Sequence, residues 1–379
     1  MTLGILGGGQ LGYMLALAGY PLGLHFRFLD PSPEAPVGRI AQRVTADYGD
    51  HAALEKFANG LELVTYEFEN VPVEAAQFLA QRVPVYPPPA ALEAAQDRLG
   101  EKTLFRNLGI TTTDFLPVSK TGEFDAAIRQ LGLPAVLKTR RMGYDGKGQW
   151  ILRTTDDVVK AKAELPKLHL ILERFVPFTR ELSLLAVRSR HGETAFYPMV
   201  ENHHRGGVLR LSLAPAPSLD PPMQRAAEDI ARRVIESLEY VGVLAIEFFE
   251  NQGRLLANEM APRVHNSGHW TIEGAVTSQF ENHLRAVAGL PLGDTRTLGY
   301  CAMLNLIGEL PEPGEVLAIP DAHLHVYGKA LRPGRKVGHL TLRADSADQL
   351  EQRLRQLPAF FHREEFCLSQ RFAHSAKYL

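Results

Sequence analysis

Val243-Leu244-Ala245-Ile246-Glu247 and Leu255-Leu256-Ala257-Asn258-Glu259 are two apolar runs, each closed by an acidic residue, with a tight reversal between them. Asn251-Gln252-Gly253 suits a three-residue hairpin loop with glycine at the left-handed position, which pairs Glu247 with Ala257 and Ala245 with Glu259. That register puts both carboxylates on one face as diagonal neighbours, with backbones roughly 7–8 Å apart. Two side chains and a cation with bonds of about 2 Å, such as Mg²⁺, can close such a span. A two-residue loop would split the pair between faces. Surface acids on an ordinary hairpin are the plain alternative, against which stands the apolar flank of each carboxylate.

The chain has 379 residues, enough for two or three domains and a sizeable core. Its 43 acidic and 41 basic residues nearly cancel, leaving no global field to attract nucleic acid or an anionic membrane. Small anions therefore need a local basic pocket. No basic region followed by a cleavable apolar segment opens the chain; it enters a buried-strand pattern at Leu3-Gly4-Ile5-Leu6, which points to the cytoplasm. Cys301 and Cys367 stand far apart, in no paired-ligand spacing, which fits a reducing compartment and excludes a Cys-rich zinc site. Glycines and Pro21 interrupt the apolar stretch Leu11 to Leu24, making it a core helix and turn rather than a membrane span.

Short strand patterns at Leu3–Leu6, Leu24–Leu29 and Leu61–Tyr66 alternate with helical ones at Leu11–Ala18 and Ala52–Ala58, which implies a parallel sheet covered by helices. Pro84 to Pro89 reads as a stiff connector, followed by one helix from Leu92 to Leu108. From the strand at Ala135–Lys138 to Glu259 the strands are closer and hairpin-like, with one clear helix at Met223–Leu238, an α+β arrangement. Beyond Leu290-Pro291-Leu292-Gly293 come short strands and turns and a last helix, Ala347–Leu357.

Gly7-Gly8-Gly9-Gln10-Leu11-Gly12 satisfies the G-x-G-x-x-G pattern between a strand and a helix, and Asp30 follows the next strand. Glycines there let a phosphate approach a helix N-terminus, with Asp30 on a ribose hydroxyl. Because Pro31 follows Asp30, a turn-forming role for that aspartate is the equal alternative. A second glycine-rich stretch, Arg140-Arg141-Met142-Gly143-Tyr144-Asp145-Gly146-Lys147-Gly148-Gln149, follows the strand that carries Lys138. It reads as an electropositive flap suited to close over a polyphosphate, or as a flexible basic hairpin tip. No helix follows it, and no Gly-Lys-Ser/Thr is present, so it is not a P-loop.

Lys138, the flap, Glu173-Arg174-Phe175-Val176 with Glu181 shortly after, and the pair Glu247 and Asn258-Glu259 resemble the ATP-grasp superfamily in order and spacing. Within it the chain is similar, over essentially its whole length, to the 5-(carboxyamino)imidazole ribonucleotide synthetase family. Further motifs carrying that likeness are Tyr66 to Val71, His265-Asn266-Ser267-Gly268-His269-Trp270, Tyr327-Gly328-Lys329 and Arg332 to His339. The resemblance implies a Rossmann-like N-terminal domain over 1–95, an ATP-grasp domain over 96–293 with a flap subdomain at about 110–172, and a small β-rich domain over 294–379.

It further implies that Arg98 and Lys138 meet the ATP phosphates under the flap (Gly143, Tyr144, Asp145, Gly146, Lys147, Gly148, Gln149). The backbone of Glu173, Arg174, Phe175 and Val176 would read adenine and Glu181 the ribose, with His204 beside the nucleotide. Glu247 and Glu259, with Asn258 adjacent, would carry two Mg²⁺ ions. Gln10, Glu67, Glu69, Tyr144, Lys147, Asn266 and Ser267 would surround aminoimidazole ribonucleotide, whose phosphate would meet Lys329, Arg335 and Lys336. Arg263 and His269 would handle the carboxylating intermediate made from bicarbonate. Neither biotin nor nicotinamide, no nucleic acid and no membrane are implied as partners, and the family implies a homodimer.

Taken on their own, Glu67 and Glu69 are also plausible surface acids, His203 and His204 a solvated turn, and Arg332 to Lys336 an exposed basic turn. Met142 stands where relatives often carry another flap glycine, and Val264 where a proline is frequent. The nearest rival is a formate-using ATP-grasp transformylase. A nicotinamide oxidoreductase, resting on Gly7 to Gly12 and Asp30, leaves the hairpin acids and the flap unexplained.

Overall fold

A computed structural model describes residues 1–143, 146–164 and 169–362; Tyr144, Asp145 and Cys367 lie outside them. The first layer consists of β1 (Thr2–Leu6), α1 (Gln10–Gly19), β2 (His25–Leu29), β3 (Gln42–Val44), α2 (His51–Ala58), β4 (Leu63–Tyr66) and α3 (Val73–Ala80). Its four strands run parallel in the order β3-β2-β1-β4, as the alternating pattern predicts. Both faces are covered, so strand β4 is buried throughout, its one polar residue Thr65 hydrogen-bonded to His283.

Next come α4 (Pro89–Gln96) and α5 (Arg98–Asn107), two helices where the sequence predicts one. The break falls at Asp97, which leaves helical geometry and caps α5 by accepting from the Leu99 amide. Residues β5 (Phe115–Val118), α6 (Thr121–Leu131), β6 (Ala135–Thr139), β7 (Gln149–Leu152), α7 (Thr155–Glu164) and β8 (Leu170–Arg174) form a separate four-stranded sheet in the order β5-β8-β6-β7. Neither α6 nor α7 is foreseen by the strand-dominated reading of this region. Helix α7 starts on a local Thr154–Asp157 capping pair rather than on a strong apolar stripe.

The large sheet is built from β9 (Arg180–Arg188), β10 (Thr194–Phe196), β11 (Val200–Arg205), β12 (Val208–Ala214), β13 (Gly242–Asn251) and β14 (Arg254–Ala261). Helix α8 (Pro221–Ser237) packs on it through Ala227, Ile230, Ala231 and Val234, an i, i+3, i+4, i+7 stripe. After α9 (Thr271–Gly274) and α10 (Gln279–Ala288), the last segment adds β15 (Tyr300–Ile307), α11 (Pro313–Leu317), β16 (Ala322–Val326), β17 (Lys336–Ala344) and α12 (Ala347–Arg355). Its strands extend the same sheet, in the order β14-β13-β9-β11-β12-β15-β17-β16 with β10 on β9. The segment after residue 293 is thus continuous with the central sheet. No described helix is long and apolar enough to cross a membrane.

The hairpin β13–β14 departs from its sequence reading. Asn251 pairs with Arg254, so the loop holds two residues, Gln252 and Gly253, both at positive φ (51° and 72°). That is the two-residue geometry matched to strand twist, with glutamine accepting a left-handed backbone. Such a loop alone would separate the acids. A β-bulge corrects it: Phe248 pairs with Ala257 and Glu247 with Glu259, leaving Asn258 as the extra residue. The two carboxylates are directly opposite, closer than the diagonal arrangement predicted from sequence.

Candidate active site

The two smaller sheets and the hairpin face a common cavity of about 830 Å³. Its lining includes Glu247, Glu259, Arg98 and His204, with the flap residues Gly143 and Lys147. It also includes Gln10, Glu67, Glu69, Arg263 and Asn266, and the cations Lys329, Arg335 and Lys336. Residues predicted for the nucleotide (Arg98, Lys147, His204), the metal (Glu247, Glu259) and the ribonucleotide (Gln10, Glu67, Lys329) therefore share one space, although they come from three sheets.

Burial, followed by the charge of its partner Glu259, pushes the Glu247 carboxyl up to about 7. For Glu259 burial acts the same way, but Arg98 and Lys138 outweigh it and hold the carboxyl at about 2. Arg98 Nη1 donates to Glu259 Oε2 at 2.8 Å, and its Nη2 reaches the Gly143 carbonyl at the flap root. Asn258 Oδ1 is buried and without a partner, beside two carboxylates on facing strands. An orphaned amide oxygen next to paired acids is a donor set of hard oxygens, which fits Mg²⁺ bound by one or two carboxylates with phosphate and water completing the shell. Among the described residues no group of three or more His, Cys, Asp or Glu forms a self-contained metal cage.

Lys138 Nζ donates to Glu173 Oε2 at 2.8 Å, and Lys102, on α5, stands 3.8 Å from the same oxygen. Burial raises the Glu173 carboxyl, but the two lysines more than offset it and leave it below the ordinary range. Segment 173–176, expected to read adenine, does not line the cavity. It runs from β8 toward β9, with the Arg174 and Phe175 amides bonded to the carbonyls of Asp114 and Pro134. Glu181 accepts from His204 across β9 and β11 at 2.9 Å. Burial opposes a charge on His204, yet that carboxylate brings it up to about 9, so His204 is a strand cation rather than part of a solvated turn.

The flap tip rests on the β11–β12 turn. A Cβ on Gly146, whose φ is +76°, would lie 2.6 Å from the Gly206 carbonyl oxygen. Met142 also has a left-handed backbone, at φ 61°, a conformation costing a non-glycine residue about 1 kcal/mol. Replacing Gly146 by alanine is expected to cost about 1–2 kcal/mol of flap seating from backbone strain alone, roughly 5- to 30-fold in the seated population. Limited proteolysis measures it: faster cleavage within the flap is expected of Gly146→Ala, and an unchanged rate would show that the seat does not matter.

The glycine loop is filled from within. Glu67 accepts from the Gly9 and Gly12 amides at 2.9 and 3.1 Å, and Asp30 from the Gly8 and Ser32 amides at 2.7 Å each. The donors that would receive a dinucleotide pyrophosphate are thus already engaged, and Asp30 takes its turn-forming role. Glu67 and Glu69 are not surface acids. Glu67 is 8% exposed, and Glu69 is ion-paired to Arg263. Arg332 and the residues up to Lys336 do form an exposed turn, but one that presents its cations to the cavity.

His269 and Ser267 are not brought to the cavity, and Lys138, Gly146, Gly148, Gln149, Glu181, Asn258 and the 173–176 segment also lie outside its lining. His269 is 1% exposed, its ring packed against His339 of β17 and Phe280 of α10, because the turn into α9 draws it inward. Burial and the nearby His265 push it well below its usual pKa, so it stays neutral. Ser267 is also buried and bonds Ser183 and His265 instead. Of the two histidines in this motif, the one at the cavity is His265, for which the motif suggests no role. Its Nδ1 accepts from the Ser267 amide at 3.3 Å, which leaves the ring proton on Nε2, 3.5 Å from Glu247. Behind it a buried chain runs from Ser212 through Asn202 and Ser183 to Ser267. Strand alternation marks these polar residues only as interior exceptions, with nothing local to connect them to the site.

Similarities to known proteins agree with this geometry. Residues 1–96 match the ribonucleotide synthetase preATP-grasp domain, 103–280 the ATP-grasp domain, and 301–353 the phosphoribosylaminoimidazole carboxylase C-terminal domain. The N5-carboxyaminoimidazole ribonucleotide synthase of Pseudomonas aeruginosa is 57% identical over 359 residues, 95% of this chain and 99% of the relative. A solved N5-carboxyaminoimidazole ribonucleotide synthetase from Thermus thermophilus superposes with a TM-score of 0.90 at 62% identity, covering 94% of this chain and 97% of that one. A synthase from Aspergillus clavatus, solved with ADP and 5-aminoimidazole ribonucleotide, gives 0.87 at 30% identity over 93% of this chain and 96% of that one.

Proposed function

The chain belongs to the N5-carboxyaminoimidazole ribonucleotide synthase family of ATP-grasp ligases, and from that premise we propose how its residues divide the reaction. The enzyme carboxylates 5-aminoimidazole ribonucleotide with bicarbonate at the expense of ATP, giving N5-carboxyaminoimidazole ribonucleotide, ADP and phosphate in purine biosynthesis. The observation that supports the assignment of residues is one cavity lined by two opposed acids and a cluster of cations.

Bicarbonate is a poor electrophile because its oxygens leave badly. Transfer of the ATP γ-phosphoryl group to a bicarbonate oxygen makes carboxyphosphate, whose phosphate can leave when the ribonucleotide amine attacks the carboxyl carbon or carbon dioxide released beside it. Glu247, Glu259 and Asn258 would hold two Mg²⁺ ions, whose charge stabilises the clustered phosphates by several kcal/mol. Arg98 and Lys138 present further cations to those phosphates. Arg263, held by Glu69, lines the same cavity and would handle the carboxylating intermediate. Asn266 is fixed by reciprocal amide bonds with Asn305 at 2.9 and 2.7 Å, ready to orient the ribonucleotide. His265, with its Nε2 proton at the cavity wall, is better placed than His269 to assist proton transfer. The flap keeps water from carboxyphosphate.

ADP release measured with aminoimidazole ribonucleotide, with and without bicarbonate, tests the activity. Dependence on bicarbonate is expected; dependence on formate instead would reassign the chain to a transformylase. The three-domain division at residues 95 and 293, a cytoplasmic location and a homodimer belong to the same proposal. Sedimentation at micromolar concentration checks the last, and a monomer would refute it.

A further inference from the structure

Strand β14 lies at the edge of the large sheet, where backbone groups ordinarily face solvent or a chance partner. Here the edge is held by α5 and the segment after it. The Ala257 amide donates to the Thr111 carbonyl at 2.8 Å, and Thr112 Oγ1 donates to the Ala257 carbonyl at 2.7 Å. The Met260 amide donates to Glu101 Oε1 at 2.6 Å. Between these anchors sits the bulge residue Asn258, whose carbonyl has lost its ladder position; Lys102 Nζ donates to it at 2.8 Å and to Thr112 Oγ1 at 3.2 Å. Lys102 is 1% exposed, so its ammonium touches no substrate. An ammonium buried in this way costs stability unless it is fully bonded. Its acceptors are the bulge carbonyl, the Thr112 hydroxyl and, at 3.8 Å, Glu173.

We propose that Lys102 is a positioning residue for phosphoryl transfer: by holding the Asn258 carbonyl it fixes the bulge that sets Glu259 and Asn258 opposite Glu247. The assignment rests on the reading of those residues as metal ligands. Without the bulge, the two-residue turn places Glu247 and Glu259 on opposite faces, so bulge geometry and ligand geometry are one property. Through Glu173 the same ammonium is linked to Lys138, which joins the bulge to the nucleotide side of the cavity.

The test is Mn²⁺ binding in the presence of ADP, followed by electron paramagnetic resonance, on wild type, Lys102→Met, Lys102→Arg and Glu259→Gln. Loss of a supporting contact behind a metal ligand typically costs about 10- to 100-fold in affinity. That loss is expected for Lys102→Met, with substantial recovery in Lys102→Arg and an unchanged apparent KM for the ribonucleotide. Wild-type Mn²⁺ affinity in folded Lys102→Met, with Glu259→Gln impaired, overturns the positioning role. Wild-type affinity in Glu259→Gln overturns the metal reading beneath it. Should Lys102→Met fail to fold, Thr112→Val removes one anchor of the clamp; a several-fold weakening supports the proposal and an unchanged affinity refutes it.

Discussion

Glu259→Gln is expected to lower turnover by roughly 10³-fold or more while leaving the fold intact, because a metal's stabilisation of transition-state charge is worth several kcal/mol. The substitution conserves shape and removes only charge. Arg98 and Lys138 keep this carboxylate ionised down to about pH 2, so over the working range it is a permanent anion that glutamine cannot imitate. Its neighbour offers no substitute: Glu247 titrates at about 7 in the free protein, raised by burial and by Glu259 itself. Removing the Glu259 charge relieves that repulsion and lets Glu247 ionise at lower pH, but it leaves one carboxylate where two are needed. Stability should change little, because the Arg98–Glu259 pair is partly exposed, with 39% of the Glu259 side chain accessible, and such pairs contribute modestly. ADP release and a thermal melt decide the matter. A folded variant with normal bicarbonate-dependent turnover would rule out the assignment of Glu259 to the metal site.

The layout of the site was legible wherever a local pattern carried it. Strand-helix alternation from Leu3 to Tyr66 fixes a parallel sheet because period and element length are properties of consecutive residues. The acids of the hairpin could be picked out for the same reason, but their register could not. It depends on Gln252 adopting positive φ and on a bulge whose carbonyl is caught by Lys102, 156 residues earlier in the chain. Nothing in the helical pattern from Leu92 to Leu108 singles out Glu101 and Lys102. Only the docking of α5 on β14 reveals them as buried clamps. His269 and His265 lie in one motif and differ in which way a single turn points them, a distinction set by packing against β17. Asp97 was the signal that went unused. An aspartate between two helical patterns is a good N-cap, and its position ends α4 and aims Arg98 at the flap.

Lys329→Met is expected to raise the apparent KM for the ribonucleotide about 10- to 100-fold, the value of one charge-assisted hydrogen bond to phosphate, with little effect on the KM for ATP. Lys329 bonds Gln10 and lines the cavity together with Arg335 and Lys336. Burial is the largest influence on its ammonium, and the cations Arg335 and Lys336 add to it; Glu67 opposes them, and the group settles at about 8. The sign follows directly. Below about pH 8 the lysine carries the charge that binds a phosphate dianion, and as pH climbs through that value the charge is lost. The kcat/KM for the ribonucleotide should therefore fall above about pH 8, approaching tenfold per unit, while kcat at saturating ribonucleotide falls less because a bound dianion holds the proton on. Met cannot titrate, so Lys329→Met should lose that alkaline limb along with its affinity. Equal increases in KM for ATP and ribonucleotide, or an alkaline limb that survives the substitution, would place the phosphate elsewhere in the cavity.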